Sequence, residues 1–166
     1  MKLLFISSPV GPLGSGEAGG VEQILLNIPA ALAKKNHAGV VVAARGSVTP
    51  PGGRVCMVDG VPAPDAMRAN RHAVPLLRAD GLLEAAWQKA ASIQGDFDAI
   101  INCTYDWLSF YVAPFFTTPV FNIVHIQSLN ASVDAMMAMR YAENPGRFAL
   151  VSRCQARTYG FLRLIQ

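Results

Sequence analysis

Short β-branched runs alternate with helix-length amphipathic segments along the whole chain, and this alternation restricts the fold more than any other feature. Residues 2–7 (KLLFIS) are an apolar run ending in small polar residues before Pro9, as a buried parallel strand feeding a loop would be. Val21, Ile24, Leu25, Ile28 and Leu32 then fall on one helical face until Lys34, Lys35 and Asn36 close it, with Pro29 expected to bend the helix. Residues 39–44 (GVVVAA) read as a second strand, 45–53 as a Gly/Pro loop and 54–58 as a short third strand. Leu82, Leu83, Ala86, Trp87 and Ala90 mark a helix, followed by a strand over 97–103, a helix over 107–116 and a strand over 120–124. A helix over 132–143, a turn at 144–146, a strand over 147–151 and a helix start at 152–159 complete the series, while the sequence after 58 as far as Arg71 stays open. Such a series predicts an α/β fold: a Rossmann-like parallel sheet with helices on both faces.

At 166 residues the chain has room for one such domain. Its 52% hydrophobic and 15% charged content suits a filled core, and a net charge of +3 is too small to indicate a nucleic-acid partner. Small anionic ligands stay open. Cys56, Cys103 and Cys154 form no CxxC pair and have no histidine at a ligand interval, so a reducing cytoplasm and no metal are expected. The opening apolar run is too short for a signal peptide's core. Between Asp106 and Asp134 no charged residue occurs, but Pro114, Pro119, Asn122, His125, Gln127 and Asn130 interrupt the stretch, so a soluble chain without a transmembrane segment is expected.

In open parallel sheets, ligands lie beyond the carboxyl ends of the strands. That rule selects residues 7–20, Arg45, residues 104–107 and 125–128, and Ser152 with Arg153. Gly14-Ser15-Gly16-Glu17-Ala18-Gly19 matches GxGxxG between a strand and a helix, which opens a dinucleotide reading. No acidic residue lies between Glu22 and Asp59 for the ribose, so Arg45 would have to meet a 2′-phosphate, making NADP the cofactor of that alternative. Gly19-Gly20-Val21-Glu22 offers a second reading, in which glycines admit a ligand close to the backbone and free helix N–H groups face a diphosphate. The bland alternative is a turn whose Glu22 complements the helix N-terminus.

The segments FISSPVGPLGSGEAGGVE and NHAGVVVAA resemble the amino-terminal domain of GT-B glycosyltransferases of the retaining family 4 group. SPVGPLGSGEAGGVE, YDWLSFYVAPFFTTPV and VSRCQARTYGF are similar to the UDP-glucose:tetrahydrobiopterin glucosyltransferases within it. The resemblance implies a two-lobed enzyme whose amino lobe holds the acceptor and whose carboxyl lobe holds the nucleotide sugar. Residues 1–166 would be the amino lobe, without the donor-binding domain, and inactive alone. The implied partners are UDP-glucose as donor and a pterin as acceptor, with no cofactor; an uncovered lobe face would allow self-association into a homo-oligomer.

By the same resemblance, His125 would contact the transferred sugar as the catalytic residue, with Gly16, Gly19, Gly20 and Glu22 on the sugar-diphosphate side. Ser128 and Arg153 would stand at the cleft edge. Tyr105, Asp106 and Trp107 suit a flat heterocycle, Asp106 accepting from adjacent pterin N–H groups while an aromatic ring covers the face. Each has a structural alternative: His125 satisfied by a carbonyl, Asp106 as a helix N-cap, the aromatics as core. Met136, Met137 and Met139 read as helix packing and His37 as structural, while Arg140, Arg147, Arg153, Arg157 and Arg163 read as a solvated basic face. A stand-alone small-molecule-binding domain and an NADP-dependent oxidoreductase domain remain the other functional readings.

Overall fold

The computed structural model describes residues 1–63 and 70–161; Arg163 lies outside them. Six strands, β1 (Lys2–Ile6), β2 (Ala38–Ala44), β3 (Gly53–Val58), β4 (Ala99–Asn102), β5 (Val120–Val124) and β6 (Phe148–Leu150), form one sheet in the order β3-β2-β1-β4-β5-β6. Every neighbouring pair is parallel. This is the doubly wound, Rossmann-like order, as the alternation predicts.

The period-two alternation of strand residues divides the core between the two faces. Phe5, Val41 and Ala43 pack against Leu25 of helix α1 (Gly19–Ala33). Leu4, Ile6, Val42 and Ile100 instead meet Leu83, Ala86, Trp87 and Ala90 of α2 (Leu82–Ile93). On that second face, Phe110 of α3 (Trp107–Val112) joins Val124 and the α4 (Ala131–Glu143) residues Val133 and Met137. Met136 and Met137 pack as the sequence suggests, whereas Met139 is exposed.

Pro29 sits inside α1 and is buried. A Cβ at Gly53 would lie 2.5 Å from the Pro29 ring and one at Gly39 would lie 3.3 Å from it. The two glycines therefore let the proline-bearing turn rest directly on β2 and β3.

Three elements are shorter than their apolar runs. β4 ends at Asn102 because the Thr104 N–H turns to the Asn102 side chain at 3.0 Å instead of continuing the ladder. Its start is delayed by a 3-10 turn over Gln94–Asp96. α3 stops at Val112 and passes into a 3-10 turn over Ala113–Phe115, where Pro114 has no N–H to offer. The helix expected from residue 152 is the short α5 (Arg153–Ala156), N-capped by Ser152. The open stretch after β3 runs beside the loop that follows β1: the Ala63 N–H bonds the Pro9 carbonyl at 2.9 Å, and Val61 bridges Gly81. Among the described residues, no helix is long and apolar enough to cross a membrane.

Candidate functional site

β1 and β4 are adjacent, yet the chain leaves one toward β2 and the other toward β5, which opens a crevice above their carboxyl ends. Ser8, Pro9, Val10 and Val21 line it from the β1–α1 side, Thr104 and Tyr105 from β4, and His125 from β5.

The glycine loop has an internal occupant. Glu22, 2% exposed, turns its carboxylate back under the loop and accepts from Gly14 N at 2.5 Å, Gly16 N at 2.9 Å and Ala18 N at 3.2 Å. A carboxylate holding these amides braces the loop, and the cluster of N–H groups that could cradle an anion inside the turn is already filled. Gly14 has φ +99° and would drive a Cβ to 2.6 Å from Val48, so it is fixed by packing. By contrast, a Cβ at Gly16, Gly19 or Gly20 would meet nothing within 4 Å. Gly19 also has φ +57°, which favours glycine. The exposed main chain leading into α1 is thus open, and α1 carries no side-chain N-cap.

His125 follows the last residue of β5 and is half-buried. Neither Nδ1 nor Nε2 has a hydrogen-bond partner among the described residues, although both atoms are shielded from solvent. Burial lowers the imidazole pKa below the ordinary histidine value, favouring the neutral ring. Such a ring has one donor and one acceptor to offer a ligand in the crevice.

Tyr105 contributes its ring to the crevice, but its hydroxyl is engaged. It donates to Asp134 Oδ1 at 2.6 Å and accepts from Leu129 N and Asn130 N at 3.1 Å each. Burial, with help from Asp134, pushes its pKa up to about 12. Ser128 belongs to the same cluster: its hydroxyl donates to Asp134 Oδ2 at 2.5 Å and accepts from Arg71 at 3.0 Å. Cys103 lies beneath, with its thiol raised to about 12 by burial.

Asp106 and Trp107 face a neighbouring depression with Leu82, Leu83 and Glu84, separated from the crevice by Pro9, which lines both. Asp106 caps α3 by accepting from Leu108 N at 2.8 Å, and burial raises its carboxyl above the usual range. Trp107 stacks on Tyr111 with centroids 4.7 Å apart. Tyr105 and the Asp106–Trp107 pair therefore serve adjoining hollows. Arg153 is exposed on α5, beyond edge strand β6, and does not line the crevice.

At the end of β2, where a dinucleotide's adenosine ribose would lie, Arg45 is held by both oxygens of Asp59 at 2.5 and 2.7 Å. A 2′-phosphate would have to displace Asp59 there, and the cofactor's pyrophosphate would have to displace Glu22 in the glycine loop. Among the described residues, no group of His, Cys, Asp and Glu side chains could hold a metal ion.

No family model matches this chain, and no curated protein matches it at a significant level.

Two sets of positioning residues escape sequence reasoning. Gln155 is buried and donates through Nε2 to the Val124 and Ile126 carbonyls at 2.8 and 2.6 Å, the peptide oxygens on either side of His125. Tyr159 adds a bond to the Ile126 carbonyl at 2.6 Å. Under β4, a buried chain runs from Trp87 Nε1 to Ser109 (2.9 Å), Ser109 to Thr104 (2.5 Å), Thr104 to Asn102 (2.8 Å) and Asn102 to Asn122 (3.0 Å). The Thr104 hydroxyl donates to Asn102, so it accepts from Ser109, and the chain has one direction. The only signals were Asn and Thr at strand ends, where polarity otherwise reads as the loop beginning.

Proposed function

We propose that residues 1–166 form the acceptor-side lobe of a retaining glycosyltransferase, which moves a sugar from a nucleotide sugar to a small acceptor. The observation carrying this reading is His125: a shielded imidazole with both nitrogens unpartnered among the described residues, set in the crevice that the open main chain before α1 also borders. A neutral ring there suits hydrogen bonds to sugar hydroxyls, and the α1 N-terminus suits the partial negative charge of a departing diphosphate. UDP-glucose is the proposed donor.

The acceptor is a pterin in the adjoining hollow, its amino and N–H donors directed to the Asp106 carboxylate and its face covered by Trp107. Pro9 lies between the hollows, so sugar and acceptor would meet over it. A second lobe would supply the positive charge that holds the diphosphate, so residues 1–166 alone bind weakly and do not turn over. The NADP reading is disfavoured by Glu22 and Asp59, which fill both places where that cofactor's phosphates would sit.

Calorimetry with UDP-glucose, tetrahydrobiopterin and NADPH tests the assignment. Weak binding of the first two, weakened about tenfold for UDP-glucose in His125→Ala and reduced for the pterin in Asp106→Asn, is expected. NADPH binding more tightly than either would overturn it.

A further inference from the structure

We infer a second ligand site at the opposite end of the sheet, between the turn that follows α3 and the end of α4, that takes a small organic anion with an apolar body. A cavity opens there beside the amino ends of β5 and β6, where Val120 and Phe148 begin their strands. Asn122, the lining residue of β5 nearest His125, precedes it by three residues, about 10 Å of strand.

The walls supply donors in excess. Arg140 has one guanidinium nitrogen paired with Glu143 at 2.6 Å, but its Nε is buried and has no partner among the described residues. Arg147 lines the same cavity; among the described residues it makes only a long bond, 3.5 Å, to the Val120 carbonyl, with its guanidinium over Phe121. Asn122, 3% exposed, lines the cavity and accepts from Asn102 through Oδ1, while its Nδ2 makes no hydrogen bond among the described residues. Two arginines against one carboxylate leave a positive balance, and an orphaned buried donor calls for an acceptor. Phe116, Phe148 and Pro114 complete the wall with apolar surface. A carboxylate or phosphate ester on a compact apolar group matches both halves: the anion to Arg140, Arg147 and Asn122, the body to the aromatic rings.

Two of the arginines that read in sequence as a solvated face thus converge on one cavity, while Arg153 and Arg157 stay exposed. This site does not depend on the glycosyltransferase reading.

Titrating the isotope-labelled chain with benzoate, and separately with inorganic phosphate, tests the site by NMR at the Arg140 Nε–H and Asn122 side-chain amide signals. Saturable shifts with benzoate, weakened about tenfold or more in Arg147→Gln, are expected, with His125 unmoved. Phosphate should bind more weakly, because it lacks the apolar body. Glu143→Gln removes the competing carboxylate and should tighten benzoate binding, a gain that a misfolded variant cannot produce. Absence of a saturable shift at millimolar benzoate, or equal affinity in Arg147→Gln and Glu143→Gln, would overturn the site. Equal affinity for phosphate and benzoate would overturn the apolar half.

Discussion

The loop after β1 and the residue after β5 border the same crevice but treat their polar groups in opposite ways. Gly14, Gly16 and Ala18 direct their N–H groups inward to Glu22, so the turn most reminiscent of a phosphate cradle is closed by its own chain. His125 has no partner for either nitrogen among the described residues. Polar groups satisfied inside the fold hold shape, whereas those left unsatisfied at a strand's carboxyl end mark where a ligand's atoms complete the count. The main chain at Gly19 and Gly20 stays open where the glycine turn before it is closed.

The largest effect that could break this contrast is on stability. Glu22→Ala takes the buried acceptor from three part-buried loop amides, and should cost about 3 kcal/mol in urea unfolding. A loss under about 1 kcal/mol would mean that the carboxylate is not the brace. Gln155→Leu removes the donors to both peptide oxygens flanking His125. It should cost about 2 kcal/mol and broaden or shift the His125 ring signals. Unchanged signals would show that the clamp does not set the ring's position.

His125→Ala should behave differently, changing stability by less than about 1 kcal/mol because no internal hydrogen bond is lost, while weakening UDP-glucose binding about tenfold. The reverse pattern would make His125 structural. Its titration provides a smaller effect. The native fold disfavours the protonated ring, so as pH falls below the ordinary value of about 6.5 the unfolded chain takes up a proton that the folded chain resists. Stability held above that pH is therefore lost as pH falls toward the depressed native value, and His125→Gln should flatten the slope in unfolding curves. The smallest effect is expected for Asp106→Asn. Asparagine is an equally good N-cap, so stability should hold or rise slightly while pterin binding falls.

Much of the fold was legible because strand runs such as GVVVAA alternate cleanly with amphipathic segments. The position of His125 was legible from the strand-end rule. Glu22 was not, since an acidic residue in a first helical turn ordinarily faces solvent and nothing local to Gly19-Gly20-Val21-Glu22 reveals that the preceding loop folds back over it. Gln155 was hidden for a related reason: its partners are backbone carbonyls 29 and 31 positions away. Asp106 both caps α3 and lines the adjoining hollow, and the sequence pattern is the same for a cap as for a ligand-facing carboxylate.

The most direct measurement is amide and side-chain NMR of residues 1–166 during titration with UDP-glucose. Shifts concentrated at Gly19, Gly20, Val21 and the His125 ring, with Gly14 and Gly16 unmoved, are predicted. Shifts centred on Gly14 and Gly16, with His125 unaffected, would contradict a crevice that binds beside its glycine turn and not within it.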